Sequence, residues 1–284
     1  MGQSEKIAIA DKKMYALRDV TVTVESIPLI ASSVMSKKLA AGADKILLEV
    51  TCGSGAFMEN TERAKLLAET MVRIGNMANK ETIAVLTNMN QPLGRYVGNA
   101  METKEAIDTL KGNGERDVIM VCGILGAYML KLAGVGESIV ENIKLIESKI
   151  QSGEGLEKFR EMVGCQGGNV SIIDEPEKLM TAQYKVPVTI GESGYVEKIE
   201  AKNIGQAVVN LGGGRVRKED EIDHAVGIEV LKKIGDEVKE GDTVLYIYAN
   251  DEEKARSQVE FLKNTYKISK EKVRKEEEIL GIIE

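Results

Sequence analysis

Tryptophan is absent from this chain of 284 residues, phenylalanine occurs three times, and aromatic residues make up only 4% of it. That excludes a single-strand nucleic-acid platform built on stacked rings. Positive charge is scarce as well: 38 Lys and Arg stand against 45 Asp and Glu, a formal charge of −7. Duplex-binding proteins carry the opposite excess, so no nucleic-acid partner is expected. One histidine and three scattered cysteines (Cys52, Cys122, Cys165), with no CxxC pair, supply neither a zinc site nor a disulfide framework. They read as residues of a reducing compartment, and a cytoplasmic location is expected. Long apolar runs are missing too. The longest, 118–130, is stopped by Lys131 and is too short to span a bilayer. The start, MGQSEKIAIADKK, has no apolar signal core, so no membrane is expected.

What is present is ordinary globular composition, 43% hydrophobic and 29% charged, which excludes wholesale disorder. The length allows one large domain or two modest ones. Residues 19–25, DVTVTVE, alternate as a short strand or extended segment. Ser26-Ile27-Pro28 is a helix-start signal, with a hydroxyl able to cap and Pro in the first turn. That helix is expected to run to about Ala41 and stop at Gly42. KILLEV (45–50) has strand length and enters a glycine loop at 52–55. A helix at 61–79, a strand at 82–87, a loop at 88–99 and a helix at 101–110 follow. Strand–helix alternation is the α/β signature. Further helices are expected at 118–133, 137–152 and 157–163. From Tyr184 strands dominate, at 184–190, 194–200 and 238–249, with helical stretches at 203–211 and 252–265 and a highly charged tail. The expected fold is α/β in three parts. A remnant of a small helical domain spans 1–43, a mixed α/β portion with helices around a sheet spans 44–170, and a strand-rich α+β part spans 171–284.

Several residues stand out for chemistry. GSGAFM (53–58) follows a strand and precedes a helix, where backbone N–H groups can approach an anion. It lacks the third Gly of a dinucleotide fingerprint, and a structural turn and a ligand loop both stay open. Ser33 and Lys37 are four apart on the predicted helix and share a face. Taken alone, such a lysine is ordinarily a solvated surface group. Arg18 reads as an ion-pair partner of Asp11 or Asp19. His224 is a lone imidazole of structural type. GDEVKEGDTVLY (235–246) is similar to the hairpin of lipoyl and biotinyl carriers, but it lacks a Lys flanked by apolar residues at an exposed turn and reads as structure.

The string MYALRDVTVTVESIPLIASSVMSKKLAAGAD (14–44) closely resembles the base-binding segment of the pyrimidine-nucleoside phosphorylase and thymidine phosphorylase family. GSGAFM (53–58), TNMNQPLGRYVGNAMETKEAIDTLKG (87–112) and GGGRVRKEDEIDHAVG (212–227) continue the resemblance in the same order. It covers essentially the whole chain, and is nearest in flavour to the bacterial enzyme that accepts uridine and thymidine. The resemblance implies a transferase in which phosphate attacks C1′ of a pyrimidine nucleoside. The products are the base and ribose or deoxyribose 1-phosphate. It implies that Tyr15, Arg18, Ser33 and Lys37 bind the nucleoside, with Arg18 and Lys37 acting catalytically on the base. It implies no organic cofactor but a monovalent cation such as potassium, held by backbone oxygens of Leu93 and Tyr96 and by Glu105. Partners implied are a pyrimidine nucleoside or base, phosphate, and a second copy in a homodimer or a complementing N-terminal chain.

Two departures accompany the resemblance. Family chains begin with a helical region and a Gly-rich phosphate loop containing Lys-His-Ser, and neither string occurs here. About the first third of a family chain has no counterpart, so this chain is expected to be a C-terminal portion that is inactive alone. The alternative is a non-catalytic remnant that binds a pyrimidine or a partner. Second, where the family commonly reads LDVKVG, this chain reads LEVTCG: Glu49 keeps a carboxylate and Thr51 loses a positive charge.

Overall fold

Ser26 is extended, with φ −70° and ψ 111°, and Pro28 sits in the turn that follows, so the chain enters a helix there as its sequence dictates. The Ser26 hydroxyl makes no capping hydrogen bond, and the helix entry rests on backbone geometry. The computed structural model describes residues 8–21, 23, 25–217 and 219–284, with backbone alone for 15–17, 19 and 20.

The helices α1 (Ile9–Val20) and α2 (Ile27–Ala40) come first. They are followed by β1 (Lys45–Cys52), α3 (Thr61–Met77), β2 (Glu81–Asn88), β3 (Tyr96–Val97), α4 (Asn99–Asp108), α5 (Arg116–Leu132), α6 (Ile139–Gln151), α7 (Glu154–Cys165) and the one-turn α8 (Ser171–Asp174). Then come β4 (Tyr184–Thr189), β5 (Gly194–Ile199), α9 (Ala201–Val208), β6 (Gly227–Val230), β7 (Glu237–Val238), β8 (Thr243–Ala249), α10 (Glu252–Lys263), β9 (Tyr266–Ser269) and β10 (Ile279–Ile283). The expected extended segment at 19–25 is corrected at its start, because Asp19 and Val20 close α1 and the Thr23 N–H returns to the Arg18 carbonyl.

Among the described residues the strands form three sheets. In the first, β1 and β2 run parallel in unbroken register, Leu47 opposite Ile83, and β10 lies antiparallel on the other side of β2. Apolar side chains alternate across β1, so both faces need cover. Ile46, Leu48 and Val50 bury one face in a cluster with Leu67 and Met71 of α3 and with Ala31 and Met35 of α2. On the other face Ile83 and Val85 pack with Tyr128 and Leu132 of α5. The second sheet, ordered β3-β6-β8-β4, is antiparallel. Its core includes Ile228, Val230, Leu245 and Ile247 with Ile204 and Leu262 of α9 and α10. The third sheet is β7-β5-β9.

The fold is therefore α/β with a strand-rich C-terminal part, as expected. The chain crosses the expected divisions at 1–43, 44–170 and 171–284 three times. Ala31 and Met35 share one core with β1, so α2 belongs to the α/β unit. β3 leaves the middle stretch to pair with β6, and β10 leaves the C-terminal stretch to pair with β2.

Candidate functional site

Asp11 and Arg18 are seven apart on α1, two turns along one face, while Ser33 and Lys37 are one turn apart on α2. The two faces meet. Lys37 Nζ donates to Asp11 Oδ2 at 2.6 Å and to Ser33 Oγ at 2.9 Å. Arg18 is buried and its Nη1 donates to the Leu29 carbonyl at 3.3 Å. Burial of Asp11 opposes its charge, but hydrogen bonds from Lys37 and Ser33, and then the charges of Lys37 and Arg18, outweigh that and hold its carboxyl below the usual range. So Ser33 and Lys37 gather about the Asp11 carboxylate at the α1–α2 contact, and Arg18 bridges the same two helices through the Leu29 carbonyl. Tyr15 lies on α1 between Asp11 and Arg18, and its side chain is outside the described residues. Sequence reading treated Asp11 only as a candidate partner of Arg18; its bond to Lys37 spans 26 residues and carries no local signal.

The glycine loop is a structural turn. Gly53 N–H goes to the Met58 carbonyl, Ser54 N–H to Asn90 Oδ1, Gly55 N–H to the Met89 carbonyl and Ala56 N–H to the Gly53 carbonyl. All four donors are taken by the protein, so the loop cradles no anion in this conformation. Gly53 has φ +130°, and a Cβ there would stand 2.5 Å from Asn90 Oδ1. Ser54 joins this loop to the C-terminal part: its one hydroxyl proton is shared between the carbonyls of Asn90 at 3.2 Å and Ile199 at 3.1 Å, and its Oγ accepts the Ala201 N–H. The tail closes over the same strand ends, where Asn88 and Asn90 both donate to Glu276 Oε2 at 2.7 and 2.8 Å.

Leu93, Tyr96 and Glu105 surround the turn that leads into β3. Glu105 is buried and accepts the Arg95 N–H at 2.6 Å. Burial pushes its carboxyl upward, against the pull of backbone N–H groups of Arg95 and Tyr96. Lys233, from the C-terminal part, donates to the Pro92 carbonyl at 2.7 Å and to Asp117 Oδ2 at 2.6 Å, and Asp117 accepts the Gly94 N–H. A cleft of about 580 Å³ opens beside this junction, lined by Arg95, Asp117, Lys233, Asp236 and Glu276 among others. Sequence reading missed Asp117 and Lys233, which are far apart in the chain and carry no motif.

His224 is exposed, and its carbonyl accepts the Ala100 N–H at the start of α4. The 235–246 hairpin is β7, a turn and β8. Glu49 accepts the Thr87 hydroxyl at 2.8 Å. Among the described residues no cluster of three or more His, Cys, Asp or Glu is arranged to hold a metal ion, and no helix is long and apolar enough to cross a membrane.

Residues 1–156 match the glycosyl transferase family a/b domain, and residues 195–269 match the pyrimidine nucleoside phosphorylase C-terminal domain. Pyrimidine-nucleoside phosphorylases of Staphylococcus aureus strains USA300 and NCTC 8325 / PS 47 are each 53% identical over 250 residues. That of strain bovine RF122 / ET3-1 has the same identity over the same length. The match covers 88% of this chain and 58% of each relative, so the chain spans a little over half the length of these curated relatives. The chain belongs to the glycosyl transferase family of this a/b domain, and within it to the pyrimidine-nucleoside phosphorylase and thymidine phosphorylase group.

Proposed function

We propose that this chain supplies the base-binding part of a pyrimidine-nucleoside phosphorylase. The observation that carries the reading is that Lys37 meets Ser33 and Asp11 at the α1–α2 contact, to which Arg18 adds a buried bond to the Leu29 carbonyl of α2. In the reaction a phosphate oxygen bonds to C1′ as the C1′–N1 bond breaks, and the bonding pair leaves with the base. Charge then builds on the ring carbonyls, where preorganised donors lower the barrier. An ammonium has three donors. Lys37 gives one to Asp11 and one to Ser33, which leaves a third for a ring oxygen. On this reading Arg18 adds a planar fork for the same carbonyl edge. Titration of the chain with uracil or thymine, followed by calorimetry or NMR, tests this: binding that survives Lys37→Ala unchanged removes Lys37 from the site.

A monovalent cation such as potassium fits the donor chemistry of Leu93, Tyr96 and Glu105, which offer carbonyl oxygens and a buried carboxylate of the kind hard cations take. Such an ion would offset the Glu105 charge and brace the turn before β3. The reading also carries a cytoplasmic setting in pyrimidine salvage, phosphate as the second substrate, and a homodimer or a complementing chain as partner.

A second reading describes the 284 residues by themselves: they bind a pyrimidine without turning over a nucleoside. It is favoured by the glycine loop, whose N–H groups from Gly53 to Ala56 are taken by the protein, and by the lack of any Lys-His-Ser string. Without a phosphate cradle the nucleophile is not oriented, and orientation is worth roughly 7–11 kcal/mol of a barrier. Incubation with uridine or thymidine and phosphate, with free base as the readout, tests it. Release at enzymic rates by the chain alone contradicts it.

A further inference from the structure

We propose that Asp11 is a positioning residue of the base site: it aims the Lys37 ammonium and so sets how tightly the chain holds a pyrimidine. The inference rests on the reading of Lys37 as a base donor. Asp11 stands on α1 and Ser33 on α2, and Lys37 Nζ donates to both, at 2.6 and 2.9 Å. An ammonium carries three donors. With two of them anchored, its tetrahedral geometry fixes the direction of the third. Held by Ser33 alone, the ammonium turns about that one bond at the end of a flexible four-carbon stem. Ser33 and Lys37 belong to the same helix, so the bond to Asp11 is what ties the ammonium to a second element.

The exposures divide the labour between the two groups. The Asp11 side chain is 10% exposed and that of Lys37 33%, so the carboxylate is enclosed at the helix contact while the lysine keeps an open side for a ligand. Arg18, the partner that spacing along α1 suggests for Asp11, reaches the Leu29 carbonyl at 3.3 Å and is a smaller influence on the Asp11 carboxyl than Lys37. Two effects of Asp11 on a bound base oppose each other. Its charge offsets that of Lys37, which weakens attraction for an anion, and its bond aligns a donor, which favours a carbonyl oxygen. A neutral base gains little from net charge and much from an aligned charged donor, so for uracil the alignment wins.

The test titrates uracil, followed by NMR or calorimetry, into four forms of the 284-residue chain: the chain as it stands, Asp11→Asn, Lys37→Ala and the double variant. Lys37→Ala should weaken binding about tenfold and Asp11→Asn about fivefold. In the Lys37→Ala background, Asp11→Asn should change binding by less than about 1.5-fold, since no ammonium is left to aim. An Asp11 that serves the fold alone weakens binding equally in both backgrounds, as does a variant that folds poorly. That result overturns the proposal and leaves the base-site reading in place. Unchanged or tighter binding in Asp11→Asn alone does the same. Absence of uracil binding, or binding indifferent to Lys37→Ala, overturns the base-site reading and this proposal with it.

Discussion

Lys37 Nζ lies 2.6 Å from Asp11 Oδ2, and this bond joins two helices through residues 26 positions apart. Asp11 is nearly buried and Lys37 is one-third exposed, so the pair sits at the boundary between core and solvent. It fixes the ammonium beside Ser33 and within the field of Arg18.

Asp11→Asn should cost the chain about 1 kcal/mol in urea unfolding, since water screens the exposed side of the pair. Lys37→Met added to Asp11→Asn should cost little more than the first change alone, because the interaction is already gone. Strictly additive effects contradict the coupling. The pH dependence has a definite sign. The folded Asp11 carboxyl titrates below its ordinary value of 3.8. Its contribution is therefore complete above that value and fades as pH falls through the lower folded one. An acid titration of stability should lose this step in Asp11→Asn.

Gly53→Ala should destabilise far more than Gly42→Ala. Gly53 combines φ +130° with Asn90 atoms 2.5 and 2.6 Å from a Cβ, while Gly42 has φ +77° and open space around it. The second change costs about 1 kcal/mol from conformation alone. The first adds the displacement of Asn90, for a total of about 3 kcal/mol or more. Thermal melts of the two variants decide the order.

Tyr266 makes an alkaline limit. It is buried, its hydroxyl donates to the Lys232 carbonyl at 3.1 Å, and burial pushes its ionisation well above the ordinary value near 10. The folded state then keeps a proton that the unfolded state gives up. Stability should fall above pH 10 by up to about 1.4 kcal/mol per pH unit from this group. Tyr266→Phe should flatten that decline, and an unchanged slope would refute the assignment.

The parts of the fold with long patterns were legible in the sequence. KILLEV and TIAVLT are strands, legible as short apolar runs, and α2 was legible from its ends, the Ser26–Pro28 start and the Gly42 stop. β3 and β6 have two and four residues, too few for a period to appear. β10 was hidden because ILGII follows the charge run EKVRKEEE, and only pairing with β2 selects it. DVTVTVE looked extended because β-branched residues alternate, but Asp19 and Val20 finish α1 all the same. The Ser33–Lys37 relation was readable from its spacing of four, whereas Asp11, Lys233 and Asp117 meet their partners only through the folded chain. The role of the first pair came from a resemblance, since an i,i+4 Ser–Lys pair has no chemistry of its own.

In a complex or chimera with the amino-terminal segment of the S. aureus relative, Lys37→Ala should lose about 2–4 kcal/mol of transition-state stabilisation, the scale of one preorganised donor. The decisive measurement is base release from uridine and phosphate by that assembly, with Lys37 and with Ala in its place. The account expects phosphate-dependent release with Lys37, a rate lower by roughly 30-fold to 1,000-fold with Ala, and none from the 284 residues alone. Equal rates for the two assemblies, or no phosphate-dependent release from either, would contradict it.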